Sequence, residues 1–275
     1  MGLRISTNVA SINAQRQLFK NQNRLEHAQA AMGSGKRIVN ASDDAAGLAI
    51  SENIRGQAAG LKMAKQNALN AQSLIQVSEG GLNEISNIMI RIRELGVQAA
   101  SDTVSEVERE FIQTEGAQLI SEAERIAQST RFGNKELLNN DDNEMEFHVG
   151  PFGGDENVVK AVVSADATTS TLGVDGVDLS DKDGAKDALQ AVDEALVQIG
   201  KIRADFGAVQ SRLVMTNSNT DIQYENLKAA ESRISDADIA HESAELASAT
   251  VLQNAAIGVL ASANQNGLSA MRLIG

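Results

Sequence analysis

Residues 43–100 read DDAAGLAISENIRGQAAGLKMAKQNALNAQSLIQVSEGGLNEISNIMIRIRELGVQAA. Ile54, Leu61, Ala68, Ile75, Leu82 and Met89 recur here every seven residues. A second stripe, Ile50, Gln57, Ala64, Ala71, Ser78, Ile85, Ile92 and Ala99, keeps the same beat. Two stripes at a and d positions, with no proline between them, predict one long helix that buries a narrow face against a partner. At 1.5 Å per residue it would span roughly 85 Å. Asn40-Ala-Ser-Asp-Asp marks its start: Ser42 is placed to cap free N–H groups, and Asp43 and Asp44 suit the positive end of the helix dipole. The Gly80-Gly81 pair is its weak point, and the Ala, Ser and Gln of the second stripe make the seam shallow.

Beyond this helix, a shorter stretch over about 104–129 carries Ile112, Leu119 and Ile126 at the same spacing, and Phe132-Gly133-Asn134 suits a C-cap. The period then changes. Met145, Phe147 and Val149 alternate with Glu144, Glu146 and His148, which predicts a strand. Gly150-Pro-Phe-Gly-Gly-Asp supplies a turn, and Val158 to Val163 the return strand. Residues 141–187 hold 12 acids against 3 Lys. A net charge of −9 predicts a solvent-facing segment, because burying it would carry large desolvation costs. From about 185 the heptads return at Val192, Ile199, Phe206, Leu213, Thr220, Leu227 and Ile234. One long helix goes out and another comes back, so the two pack antiparallel.

The two ends form a further layer. Ile5, Ile12 and Phe19 are seven apart, as are Leu18, Leu25 and Met32; Ile239 and Leu246, then Leu252 and Val259, repeat the spacing. Residues 1–42 carry six basic residues and one acid, and residues 236–275 four acids and one Arg. Opposite charge on two amphipathic arms predicts that they pair, with Ile5, Ile12, Phe19, Leu25, Met32, Ile239, Leu246, Leu252 and Val259 along the seam. The expected fold is mainly α: long antiparallel heptad helices in a rod-like bundle, a small β-hairpin region near the tip, and terminal helical arms paired as a coiled coil. The expected domains are 1–42 with 236–275, 43–140 with 185–235, and an acidic, solvent-exposed hairpin and loop segment at 141–184.

Composition agrees with thin helical packing. Of 275 residues 42% are hydrophobic, about 40 of them Ala, against 6 Phe, 1 Tyr and no Trp. Large aromatics normally dominate a thick core, so a ball-shaped enzyme is disfavoured. The net charge of −13 argues against nucleic acid, which needs an excess of Lys and Arg. Without Cys there is no disulfide, thiolate chemistry or thiolate metal site. No stretch approaches the roughly 18 consecutive apolar residues of a membrane span, and the N-terminus lacks the apolar core of a secretory signal. Met1, Gly2 and Ser6 match the myristoylation pattern, a short motif that arises by chance.

The sequence carries no catalytic or metal-binding pattern, so neither enzyme activity nor a cofactor or metal is expected. His27, His148 and His241 are scattered, read as surface residues, and fit no metal spacing. Asp181-Lys-Asp-Gly has Leu179 and Gln190 where a calcium loop needs its first and last ligands, so it reads as a loop-to-helix junction. Gly33-Ser-Gly-Lys lacks the preceding glycine of a phosphate loop, with Ala30 in its place, and reads as a hinge.

The ends carry a resemblance. Ile5-Ser-Thr-Asn-Val-Ala-Ser-Ile-Asn-Ala-Gln-Arg, Ser34-Gly-Lys-Arg-Ile, Ser42-Asp-Asp-Ala-Ala-Gly-Leu-Ala-Ile and Arg91-Ile-Arg-Glu-Leu-Gly-Val-Gln-Ala-Ala resemble the N-terminal part of bacterial flagellin. Glu225-Asn-Leu, Ala230-Glu-Ser-Arg-Ile-Ser-Asp and Val259-Leu-Ala-Ser-Ala-Asn-Gln resemble its C-terminal part. The likeness covers about 1–140 and 185–275 in order. The departures are Asn266-Gly267 where the family usually has a Pro soon after, an Arg272-Leu-Ile-Gly ending, and an acidic segment in place of large outer domains.

The resemblance implies a secreted, extracellular subunit of the helical flagellar filament used for swimming, with both arms in an inner coiled-coil tube and the long helices around it. It implies export as unfolded chain through the flagellar type III apparatus, which would explain the lack of a cleavable signal. It also implies an export chaperone, hook-associated and cap proteins as partners, but neither nucleic acid nor membrane. By resemblance, Arg91, Leu95, Gln98 and Glu115 serve subunit packing and contact a host's Toll-like receptor that senses flagellin. Ile90, Gly96 and Leu119 depart from the family there, which weakens that contact. The alternatives are a hook–filament junction protein and a soluble coiled-coil adaptor. Narrow arms recover little of the backbone entropy that ordering costs, so they are expected to be disordered in the dilute monomer and to fold on assembly.

Overall fold

The computed structural model describes residues 7–139, 144–162 and 165–272; Ile5 lies outside them. The described elements run α1 (Val9–Ser34), α2 (Ala45–Ala99), α3 (Glu106–Ser129), β1 (Arg131–Phe132), β2 (Lys135–Glu136), β3 (Glu144–His148), β4 (Val158–Val162), α4 (Lys182–Ser235) and α5 (Ile239–Arg272). The mainly α reading with a small antiparallel strand region holds.

The predicted long helix is α2, but its start differs. Asp44, not Ser42, caps it: Oδ1 accepts from the Gly47 N–H at 2.8 Å. Asp43 Oδ2 accepts from the N–H groups of Asn40 and Val39 at 2.7 and 3.1 Å. These bonds, Asn40's on Asp43 and Gly47's on Asp44 foremost, hold both carboxyls below the ordinary Asp range. The helix runs unbroken through the glycine pair. A Cβ on Gly81 would lie 2.7 Å from Leu138 Cδ1 and 2.7 Å from Thr130 Oγ1, whereas one on Gly80 meets nothing within 4 Å. Gly81 is a close-packing position rather than a weak point.

The chain forms two compact units, residues 1–57 with 225–275, and residues 58–224. The divisions fall at 57/58 and 224/225, inside α2 and α4, whereas the expected 42/43 and 235/236 lie next to the ends of those helices. Residues 144–162 and 165–184 of the acidic segment fall within the second unit.

In the unit 58–224, α2 and α4 lie antiparallel, with Lys65–Asp221, Arg93–Asp193 and Arg203–Glu79 ion pairs at 2.6, 2.7 and 3.8 Å. Ile75, Leu82, Ile85, Met89 and Ile92 share one buried core with Val192, Ile199, Phe206 and Leu213. α3 opens on a capping box: the Ser105 hydroxyl oxygen accepts from Glu108 N–H, and the Glu108 carboxylate accepts from Ser105 N–H at 2.8 Å. It ends at Ser129. Gly133, with φ +61, is not its C-cap but the turn between antiparallel β1 and β2.

β3 and β4 pair antiparallel, Met145 opposite Ala161 and Phe147 opposite Val159. Met145 and Val149 turn inward, while Glu144, Glu146 and His148 face out. The expectation that 141–184 is solvated is corrected here. Ala165, Ala167, Leu172, Val174 and Leu179 are each at most 2% exposed, and they cover the core while Asp175 and Asp178 between them are exposed. Two ties fix this strap to α3. Thr169 donates to the Glu124 carboxylate from N–H and Oγ1 at 2.9 and 2.8 Å, and Leu179 N–H donates to Gln113 Oε1 at 2.6 Å.

In the unit 1–57 with 225–275, α1 and α5 run antiparallel with Cα pairs within 8 Å along the pair. Asn8 Nδ2 donates to Ala263 O at 2.8 Å, Ser11 Oγ donates to Asn264 Oδ1 at 2.8 Å, and Arg24 Nε donates to Glu245 at 2.8 Å. Where α1 ends, Gly35 takes φ +69, and the chain makes a short strand-like closure. Arg37 N–H donates to Ser235 O at 2.8 Å and Ala237 N–H to Gly35 O at 2.9 Å. The Arg37 guanidinium adds a bond to Ile234 O at 2.8 Å.

Candidate assembly surfaces

Among the described residues no group of three or more His, Cys, Asp or Glu is placed to hold a metal ion. His27 is less isolated than expected: Nε2 lies 3.3 Å from Asp43 Oδ2. What distinguishes the surface is exposed apolar side chains on regular helices. Phe111 on α3 and Val197 and Met215 on α4 are 70%, 73% and 73% exposed. Apolar faces of this kind mark contact surfaces when they cluster.

Arg91 stands on the α2–α3 face of this unit. Its Nη2 and Nε donate to Glu115 Oε1 at 2.8 and 3.1 Å, and its Nη1 to Glu94 at 3.0 Å. Those bonds, Glu115's first, raise the guanidinium further above its ordinary value. Gln98, seven residues further along α2, is exposed. Leu95 is not available for contact: it is 1% exposed and packs with Ala99, Ile112, Leu179, Ala185 and Ala188. The predicted quartet is therefore a trio on the surface, Arg91, Gln98 and Glu115, above a buried leucine.

The arm seam also needs correction. Leu25, Met32 and Leu246 are partly buried. Ile12, Phe19, Ile239, Leu252 and Val259 are exposed, by 41% to 63%. The buried positions are instead Ser11, Ala14, Ala28 and Ala31 on α1, and Glu242, Ala249 and Ala263 on α5. The physical reason is backbone distance. Alanines let two helices approach so closely that larger side chains are turned out of the seam. The signal was present in the seven-residue spacing of Glu242, Ala249, Ala256 and Ala263.

One further expectation changes. The stretch Ile239–Gln265 of α5 is long and apolar enough, by length and composition, to cross a membrane. Ile239, Leu246, Val251, Leu252, Ile257, Val259 and Leu260 supply that apolarity together with eight alanines.

The profile of the bacterial flagellin N-terminal helical region matches residues 5–143, and that of the C-terminal helical region residues 189–274. A flagellin of Halalkalibacterium halodurans is 37% identical over 98% of this chain and 99% of its own length. A flagellar filament core protein of Brachyspira hyodysenteriae is 40% identical over the same shares. A crystal structure of Bacillus cereus flagellin superposes with a TM-score of 0.51 at 26% identity, covering 56% of this chain and 88% of that one. With both helical regions matched in order and relatives aligned from end to end, this chain belongs to the bacterial flagellin family.

Proposed function

We propose that the chain is the structural subunit of a bacterial flagellar filament and polymerises through the exposed apolar faces of both units. The observation that carries this reading is the end-to-end similarity to filament flagellins, joined to exposed apolar side chains such as Phe19 and Met215 on otherwise regular helices. The same end-to-end similarity favours a filament subunit over a hook–filament junction protein or a soluble adaptor. Electron microscopy of the purified chain after seeding tests it. Long filaments are expected; short caps or a small defined oligomer would refute it.

The finer parts of the reading follow from family membership. The chain leaves the cell unfolded through the flagellar type III apparatus with an export chaperone, and joins hook-associated and cap proteins outside. It works as a scaffold rather than an enzyme. Arg91, Gln98 and Glu115 offer a host's Toll-like receptor a charged patch. A cell reporter assay checks this: full activity of the Arg91→Ala, Glu115→Ala double variant would remove the assignment. The arms order on assembly, as neighbours add contacts that a single Ala seam lacks; amides protected from exchange throughout both arms of the dilute monomer would contradict that.

A further inference from the structure

Of the aspartates in the sequence, only Asp175 and Asp183 are followed directly by glycine, and the structure holds the two pairs differently. Asp175 and Gly176 are the central residues of the turn that joins Val174 to Val177 in the strap. One backbone bond spans that turn, from Val177 N–H to Val174 O, and at 3.4 Å it is long. Among the described residues Gly176 N–H donates to no backbone carbonyl. Both residues are exposed, and a Cβ on Gly176 would meet nothing within 4 Å. The turn borders a groove of about 360 Å³ that Asp175, Gly176 and Asp187 help to line, so water reaches it. Asp183 and Gly184 lie instead in the first turn of α4. Ala185 N–H donates to Asp181 O at 2.9 Å across them, and Lys186 Nζ holds the Asp183 carboxylate at 2.7 Å. A Cβ on Gly184 would lie 2.9 Å from Asp178 O.

We propose that the Asp175–Gly176 bond is a site of spontaneous covalent modification, at which the aspartate isomerises to isoaspartate with water as the sole reactant. The Gly176 amide nitrogen attacks Cγ of the protonated Asp175 carboxyl. The N–Cγ bond forms, the Cγ–OH bond breaks, and the hydroxyl leaves with the amide proton as water. A second water then adds to the main-chain carbonyl of the succinimide ring and breaks its bond to that nitrogen, so the chain now runs through Cβ and Cγ. One water leaves and one enters, and nothing is oxidised or reduced. Ring closure requires residue 175 to rotate ψ out of the turn, which breaks one long hydrogen bond, and a following residue without Cβ leaves the nitrogen unshielded. The same rotation at Asp183 would undo the first turn of α4. Lys186 acts in the same direction: its hydrogen bond, then its charge, holds the Asp183 carboxyl below the ordinary Asp range, in the form that cannot lose water. The product matters because of what flanks the turn. Val174 is fully buried, and Val177 packs against both buried clusters of the unit. An extra backbone methylene between them shifts one valine against the other and loosens the strap on the core.

The test incubates the folded full-length chain in isotope-labelled water and then digests it with trypsin. Cleavage after Lys160, Lys182 and Lys186 puts Asp175 and Asp183 in separate peptides, and electron-transfer fragmentation separates position 175 from Asp166, Asp178 and Asp181. Labelled isoaspartate at 175 should exceed that at 183 at least about tenfold, a ratio that corresponds to about 1.4 kcal/mol of added barrier in the helix. Gly176→Ala, which no left-handed φ forbids, should suppress the reaction, and Asp175→Asn, which loses ammonia rather than water, should speed it. The isoaspartyl fraction should melt below the fresh chain. Equal labelling at the two positions, or none at 175 while the free peptide 161–182 reacts, overturns the site. An isoaspartyl fraction that melts with the fresh chain overturns its effect on the strap. All of these outcomes leave the filament reading untouched.

Discussion

Replacing Gly81 by Ala sets two effects of opposite sign against each other, and its neighbour supplies the control. Inside a helix, Ala is favoured over Gly by about 1 kcal/mol. At Gly80 nothing lies within 4 Å of the new methyl, so Gly80→Ala should stabilise by about 0.5–1 kcal/mol. At Gly81 the same methyl meets Leu138 Cδ1 and Thr130 Oγ1, each at 2.7 Å, and Thr130 Cγ2 at 3.1 Å. Neither neighbour can step aside. Leu138 is fully buried, and Thr130 donates to Ile126 O from both Oγ1 and N–H, at 2.7 and 3.0 Å. Overpacking of this kind costs about 1–3 kcal/mol, which outweighs the propensity gain. The two variants should therefore differ by about 2 kcal/mol, or roughly 4–8 °C in the melting temperature of a unit this size. Thermal and urea unfolding of the monomer measure it. If Gly81→Ala melts at or above Gly80→Ala, the close approach of Thr130 and Leu138 to α2 is wrong.

Deleting residues 152–182 removes β4, Leu172, Val174 and Leu179 and uncovers the core, so the shortened chain should lose cooperative unfolding and aggregate; a soluble, sharply melting product would restore the solvated-segment reading. Ser105→Ala breaks the capping box of α3 and should cost about 1 kcal/mol, read in urea unfolding. Asp43 and Asp44 have folded-state carboxyls below their unfolded value. Their contribution is thus fully present above the unfolded Asp value of about 3.9 and lost as pH falls through the lower folded values. Stability between pH 5 and pH 3 should drop less in the Asp43→Ala, Asp44→Ala double variant than in the unmodified chain, and an equal drop would contradict those hydrogen bonds.

What could be read in the sequence depended on contrast between neighbouring side chains. In α2 the large residues Leu61, Ile75, Leu82 and Met89 stand against polar neighbours, so the buried face was evident. The β3–β4 hairpin showed itself in the alternation of Met145, Phe147 and Val149 with charged residues. Charge summed over a window concealed the strap, because Leu172, Val174 and Leu179 are few among many acids yet all point one way. The arms misled for the reverse reason. Alanine contrasts little with the small polar residues around it in α1 and α5, so the larger Ile12, Phe19 and Val259 carry the visible period, while close approach of the backbones selects Ala14, Ala28 and Ala249. Leu95 shares a motif with exposed Arg91 and Gln98, yet its side chain lies under the surface, because a motif follows the chain and burial follows the helix face.

The closure in which Arg37 and Ala237 exchange hydrogen bonds with Ser235 and Gly35 also bears on how such chains can diverge. The stretch 38–233 leaves and returns through this one point. Residues gained or lost in its turns therefore leave unchanged which alanine of α1 meets which alanine of α5. A single residue inserted within α1 has no such shelter: it rotates everything beyond it by about 100° and carries one side of the alanine stripe off its partner. Insertions and deletions among descendants of this chain should accumulate in the middle, while the spacing of the two ends stays fixed to the residue.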